Sequence, residues 1–227
     1  MGLFGLDPES IAGRVKASGV PARIPTAGAS VLRGAIGFTM VSVAGFTPWA
    51  LAGAPLTRVV GEAGMYASCA AVFIGLSGLL LHRLILGPGS LPRFYKLFGT
   101  TFALYSAAWI AGWMGLHGHL GSLVGLLAGT AVMGGLFAFA FGEPRAALPS
   151  IASLFVLNTL GYYVGGWVEG TVAKLPHLSL AGLAVEKPPP ITIAMLLWGV
   201  CYGIGLGAGL GLAFHFCQKT ARARLAA

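Results

Sequence analysis

The chain has too few charged residues to cover the surface of a soluble domain. Of its 227 residues, 9% are charged and only 6 are acidic, whereas 56% are hydrophobic. Soluble domains contain roughly 25% charged residues. The composition therefore excludes an ordinary soluble protein and indicates one that lies in a lipid bilayer.

The chain has only 3 cysteines. Cys69, Cys201 and Cys217 lie within or at the end of apolar runs, and no two of them have the C-x-x-C spacing of a metal site. We expect them to be small packing residues without a disulfide. No metal or other cofactor is predicted from the sequence.

Apolar runs dominate the rest of the chain. Those long enough to cross a bilayer as helices lie at about 34–53, 64–81, 97–115, 120–141, 148–167 and 191–216. Pro48 should kink or end the first run near the membrane surface. The sequence thus predicts an all-α, polytopic helical bundle with six transmembrane helices in one domain over 31–218.

The segments outside this domain are polar. Within residues 1–30, Asp7-Pro8-Glu9 is a typical helix start, and the residues after it fit both an amphipathic helix on the membrane surface and an unstructured tail. Residues 219–227 form a basic tail. The sequence leaves open whether residues 175–185, before the last span, form a re-entrant segment.

Basic residues flank the runs unevenly. With six spans, eleven of the 14 Lys and Arg residues lie on the side of the two termini, and three, Arg58, Lys174 and Lys187, lie on the other side. By the positive-inside rule both termini are cytoplasmic, which fits a bacterial inner membrane. The same distribution accounts for the net charge of +8 without a nucleic-acid partner.

Glycine is abundant, with 36 residues, and its spacing by four in two spans is typical of glycine zippers. In the last span two such sets face opposite sides of the helix, so this span should pack between neighbours at the centre of the bundle. The predicted helix-packing positions are Gly203, Gly205, Gly207, Gly209, Gly211, Gly121, Gly125 and Gly129.

Polar residues inside the runs are few. No Asp, Glu, Lys or Arg lies well inside a span, which argues against an ion-coupled pump. Asn158 and Tyr162 form an i, i+4 pair on one face of the fifth span, and Tyr105 and Ser106 of the third span are natural companions. We interpret this set as interhelical hydrogen bonding, with solute contact as the alternative.

Two histidines lie at the cytoplasmic ends of their spans. His82 follows the second span and His215 ends the last one, so the two imidazoles could reach a haem or a metal ion at similar depth. Two ligands specify little, and a polar anchor at the membrane surface is the interpretation we prefer.

Three functions remain open, in this order. The first is a non-catalytic module that packs against other membrane subunits or against itself. The second is a small permease or channel for a neutral or lipid-like solute, in which spans 1–3 and 4–6 form an inverted repeat. The third is a haem-binding or enzymatic membrane protein that uses His82 and His215. No catalytic residue is predicted, and the expected partners are the bilayer and other membrane subunits or a second copy.

Overall fold

The computed structural model of the chain describes residues 4–19, 24–175, 178–180, 183–185 and 190–226. Within these ranges the α-helices are Pro8–Ser18 (α1), Ala27–Leu81 (α2), Ser90–Leu116 (α3), Gly118–Ala140 (α4), Ala147–Val172 (α5), Pro190–Cys217 (α6) and Lys219–Ala226 (α7). The connections include 3-10 turns at His82–Leu84 and Pro144–Ala146. The predicted all-α class is confirmed.

Among the described residues, five segments are long and apolar enough to cross a membrane, which confirms that the chain has several membrane helices but leaves the predicted number of six a prediction. They are Ala27–Gly61, Ala67–Leu84, Gly118–Ala140, Pro144–Val172 and Ile191–Cys217. The chain is an integral membrane protein. α3 is not among the five although it has 27 residues, because its aromatic, hydroxyl and two early basic side chains lower its hydropathy.

The long helix α2 consists of two halves, α2a (Ala27–Gly61) and α2b (62–81). Gly61 separates them with φ 74° and ψ 173°, a backbone conformation that residues with a Cβ rarely adopt. Gly37 lies against Leu81, and Gly45 lies against Phe73. Because these contacts run in opposite directions along the chain, α2a and α2b form an antiparallel pair.

Of the two predicted effects of Pro48, the end of the first span is wrong, and a kink stays a prediction. α2a continues through Pro48 and Pro55, and Gly61 is the position in α2 with non-helical backbone angles. Proline is tolerated inside membrane helices when hydroxyl groups bond to nearby backbone carbonyls. Thr47, directly before Pro48, donates from its Oγ1 to the carbonyl of Val43 at 2.8 Å, next to the Ala44 carbonyl that has no proline amide to accept from.

Six long helical segments form a closed ring in the order α2a, α6, α5, α4, α3 and α2b. Each segment runs antiparallel to both of its neighbours. The ring closes between α3 and α2b, where the Tyr95 ring lies over Gly78 and Tyr95 Oη donates to the carbonyl of Gly75 at 2.5 Å. The ring encloses one continuous core.

The two ends of the ring differ in charge. At the end that we call the terminal end, α1 contacts α7, and Arg224 pairs with Glu9 at 3.4 Å. The opposite far end carries the turns at Gly61 and at His117. The described basic residues of the terminal end are Arg14, Lys16, Arg33, Arg83, Arg93, Lys96, Arg145, Lys219, Arg222 and Arg224.

The short helix α1 starts where the sequence predicts. Asp7 accepts a hydrogen bond from the Ser10 amide at 2.9 Å, and Pro8 occupies the first turn. Ile11 and Val15 are buried, and Val15 contacts Gly87 next to the first 3-10 turn. α1 is thus a helix that covers the terminal end of the ring.

The segment before the last span lies partly outside the described residues. Strands Leu178–Leu180 (β1) and Leu183–Val185 (β2) pair antiparallel within it, with Leu180 opposite Leu183. Residues 176–177, 181–182 and 186–189 are not described, so Lys187 falls outside the described residues and a re-entrant segment at 175–185 stays an open prediction.

Gln218 joins the end of α6 to the first 3-10 turn. Its side chain is 2% exposed, and its Nε2 donates to the carbonyls of Leu84 at 2.8 Å and Phe214 at 2.9 Å. Its Oε1 accepts from the amide of Leu86 at 2.8 Å. One side chain therefore satisfies three buried backbone groups on two segments.

Replacing Gln218 by Leu should destabilise the protein by about 2 kcal/mol, because the buried amide of Leu86 and carbonyl of Leu84 lose their partner. Thermal unfolding in detergent measures this loss. Trypsin cleavage after Arg83 should also become several-fold faster, whereas cleavage after Arg145 in the second 3-10 turn is the control and should keep its rate. An unchanged unfolding temperature and an unchanged cleavage rate would contradict the role of Gln218 in joining α6 to the first 3-10 turn.

Candidate functional site

The core of the ring changes character along its axis. Toward the terminal end it consists mainly of stacked phenylalanine rings, with centroids 5.1 Å apart for Phe94 and Phe98 and 5.2 Å apart for Phe98 and Phe102. We call this part the phenylalanine layer, and its members are Phe38, Phe73, Phe94, Phe98, Phe102 and Phe214. This layer fills the ring between its middle and the terminal end.

A buried polar cluster of Asn158, Tyr105 and Tyr202 lies directly against this layer. Asn158 is 0% exposed, and its Nδ2 donates to Tyr105 Oη at 2.8 Å, which also accepts from Tyr202 Oη at 3.3 Å. Asn158 Oδ1 is buried without a partner among the described residues. A buried acceptor without a partner costs free energy unless water or a solute bonds to it.

One turn closer to the far end, four more side chains surround the axis. Tyr162 Oη lies 3.2 Å from Ser122 Oγ, and Trp198 Nε1 donates to the Tyr162 carbonyl at 3.2 Å. The Trp109 ring lies 6.3 Å from the Tyr162 ring, and its Nε1 is buried without a described partner. This level therefore adds an unpaired donor one helical turn beyond the unpaired Asn158 acceptor.

A cavity of about 570 Å³ lies at the far end, between the ends of α3, α4, α5 and α6. Its aromatic lining residues are Trp113, Tyr162, Tyr163, Trp167 and Trp198. His119, Ser122 and Glu169 supply its polar groups. Because Tyr162, Ser122 and Trp198 line the cavity and also lie one turn above the buried polar cluster, the cavity leads toward that cluster.

The predicted helix-packing glycines are positions where two backbones touch. A Cβ on Gly207 would collide with the carbonyl of Gly34 in α2a, and one on Gly205 with the carbonyl of Leu157 in α5. Gly203 and Gly211 also face α2a, and Gly209 also faces α5; Gly121, Gly125 and Gly129 face α3. These faces of α6 and α4 are occupied by helices of the same chain.

The structure brings most of the predicted polar residues together. Asn158 and Tyr105 share a hydrogen bond, and Tyr162 lies one turn away, whereas Ser106 is half-buried and takes part in none of these bonds. Sequence reasoning missed Trp198 and Tyr202. Their i, i+4 spacing on the face between the glycine sets was the available signal.

The two predicted histidines have separate environments at the terminal end. His82 Nδ1 lies 3.0 Å from the carbonyl of Gly78 in its own helix. His215 Nδ1 is buried without a described partner, and its carbonyl accepts from Arg222, whose pKa is lowered by burial. Within the described ranges, no three His, Cys, Asp or Glu side chains group closely enough for a metal ion.

The three cysteines are free thiols. Cys69 and Cys217 are buried and Cys201 is half-buried. Cys217 Sγ lies 3.4 Å from Ser150 Oγ, at the contact between α6 and α5. Each thiol therefore lies within helix packing.

Comparison with protein-family models, with curated proteins and with solved structures finds no match to this chain. No residue roles or activity carry over from another protein. The cavity and the buried polar cluster beneath it are therefore the starting point for its function.

Proposed function

We propose that the chain is a permease for a small organic solute that enters through the far-end cavity. The observation that carries this proposal is the pair of unpaired buried atoms beneath the cavity, the acceptor Asn158 Oδ1 and the donor Trp109 Nε1. A solute with hydrogen-bonding groups could pair with both as it leaves the cavity. Apolar packing alone gives no reason to keep such groups in the membrane.

The topology that we propose has six spans, namely the five apolar segments and α3. α3 supports this because it packs antiparallel along α4, from Gly112 against Gly125 to Tyr105 against Gly129. The basic residues of the terminal end favour both termini in the cytoplasm of a bacterium, with the protein in its inner membrane. In this orientation the cavity opens to the outside.

The phenylalanine layer then closes the path on the cytoplasmic side. Phe102 stacks on Tyr105 at 5.9 Å and Phe38 lies 6.3 Å from Tyr202, so the layer begins where the polar groups end. Transport would require this layer to open while the cavity closes, as in alternating access. The inverted relation between the two three-span halves stays a prediction.

Asn158→Leu should abolish transport while the fold survives. Leucine has nearly the same shape as asparagine, and the Tyr105 hydroxyl that loses the Asn158 donor still accepts from Tyr202 Oη, so the loss of stability should be about 1 kcal/mol. The measurement is stopped-flow light scattering of liposomes that contain the purified protein, with glycerol and choline chloride as probes. The wild-type protein should raise the permeability to at least one probe above that of protein-free liposomes, and Asn158→Leu should return it to that level.

Val156→Leu on the lipid-facing side of α5 is the matched control, since Val156 is 52% exposed. It should transport like the wild-type protein. Wild-type liposomes that are no more permeable than empty ones to both probes would contradict the permease proposal. Equal transport by Asn158→Leu and the wild-type protein would show that the buried polar cluster has no part in it.

Association with other membrane subunits, or with a second copy, is the second proposal. It is supported by Gly170 and by Gly166, which also lines the far-end cavity; the two lie one turn apart on α5 with no atom within 4 Å of a Cβ added to either. Blue-native gel mobility after gentle solubilisation, with mass spectrometry of the band, tests it. A small band that holds this chain alone would contradict association.

A further inference from the structure

The far-end cavity has the composition of an aromatic cage. Three tryptophans and two tyrosines line it, with the rings of Tyr162 and Tyr163 at 5.3 Å and 87° to each other and those of Tyr162 and Trp198 at 5.7 Å and 74°. Rings that meet at such angles have faces in different directions, although Trp198 also stacks on Tyr202 and Trp113 on Trp109. Faces of Trp and Tyr attract cations, most strongly where water is excluded.

The described lining of the cavity has one carboxylate, that of Glu169, and no Lys or Arg side chain. Glu169 is half-buried and pairs with no basic side chain of the described part of the chain. A carboxylate beside aromatic rings, without a cation of its own, favours a ligand that brings one.

From these two features we infer that the cavity binds an organic ammonium group, such as a choline or other alkylammonium head. The inference rests on the proposed function, since it names the solute class of the same site. The volume of about 570 Å³ fits a small organic molecule. Inorganic cations fit less well because aromatic faces cannot replace their hydration shell as oxygen ligands do.

The position of Glu169 limits where the charge is bound. Glu169 lies near the end of α5, about two turns beyond Tyr162 and about three turns beyond Asn158. The charged head therefore binds at the mouth, and the hydrogen-bonding groups of the ligand point toward the buried polar cluster. The ammonium group could belong to a free solute or to a lipid headgroup that enters from the bilayer.

Calorimetric titration of the full-length protein in phosphatidylglycerol nanodiscs tests this inference. The probes are choline and 3,3-dimethylbutan-1-ol, which has the same shape with carbon in place of the charged nitrogen. Choline should bind at least about tenfold more tightly than the neutral analogue. Addition of phosphatidylcholine to the nanodiscs should weaken choline binding if the lipid headgroup is the natural ligand, and leave it unchanged if a free solute is.

Two variants separate charge from aromatic contact. Glu169→Gln and Trp113→Leu should each weaken choline binding by about fivefold or more, and Glu169→Gln should leave the neutral analogue unaffected. Glu9→Gln at the terminal end and Trp49→Leu outside the cavity lining are the controls and should bind like the wild-type protein. Their folded state is checked by thermal unfolding.

The outcomes distinguish this inference from the permease proposal. Equal binding of choline and its neutral analogue, or binding of neither, would overturn the ammonium inference, whereas glycerol transport would still support the permease. Choline binding without transport of either probe would contradict the permease and leave the ammonium site in place.

Discussion

Gly207→Ala is expected to destabilise the protein by about 3 kcal/mol, although it adds only one methyl group. The new Cβ would meet the carbonyl of Gly34 and lie 2.8 Å from Phe38 Cβ, so α6 and α2a would have to separate. Alanine is the better helix former by about 1 kcal/mol, so the clash must outweigh a favourable change in propensity. The packing contact therefore decides whether Gly207→Ala lowers or raises the free energy of unfolding.

The matched control is Gly135→Ala on α4. No atom lies within 4 Å of a Cβ at Gly135, so only the gain in helix propensity remains and stability should stay equal or rise. Thermal unfolding in one detergent compares both variants, and Gly207→Ala should unfold roughly 10 °C lower. Equal unfolding temperatures for the two variants would show that α6 and α2a are not in backbone contact.

Phe102→Ala is expected to open the path that the phenylalanine layer closes. Phe102 is 7% exposed and stacks between Phe98 and Tyr105, directly beneath the buried polar cluster. Its removal should raise liposome permeability to the transported probe by about tenfold, which corresponds to a barrier lowered by about 1.4 kcal/mol. It should also destabilise the fold by about 3 kcal/mol through the space left behind.

Phe139→Ala provides the same chemical change outside the core. Phe139 is 71% exposed on α4, so neither permeability nor stability should change much. Because a partly unfolded protein could also leak, the Phe102→Ala liposomes are tested with a large solute, sucrose, which should stay excluded. Permeability equal to that of the wild-type protein would contradict the role of the phenylalanine layer as a gate.

The helices could be predicted from the sequence more readily than their ends. The membrane helices could be located from the apolar runs, because composition alone separates lipid-facing helices from loops. The continuation of α2a past Pro48 to Gly61 could not be predicted, because it depends on the neighbouring helices that pack along α2a and not only on the residues next to the proline. α3 shows a different difficulty, since its tyrosine, tryptophan and hydroxyl side chains lower its hydropathy although its phenylalanines pack in the core.

Only some residues of the candidate site could be predicted from the sequence. Asn158 and Tyr162 stood out as polar residues on one helical face, and Tyr105 was named as their companion. The cavity itself brings together residues of four helices, from Trp113 to Trp198, that share no sequence pattern. Only the order of helices around the ring determines which of them meet.

The central claim is that the cavity opens away from the cytoplasm while the phenylalanine layer closes the other side. The direct measurement is labelling by a membrane-impermeant maleimide of His119→Cys and Phe98→Cys, each in a background with Cys69, Cys201 and Cys217 replaced by Ala. His119→Cys should react in intact cells, and Phe98→Cys should react neither there nor in inside-out vesicles. Reaction of His119→Cys only in inside-out vesicles, or of Phe98→Cys from the cytoplasmic side, would contradict the account.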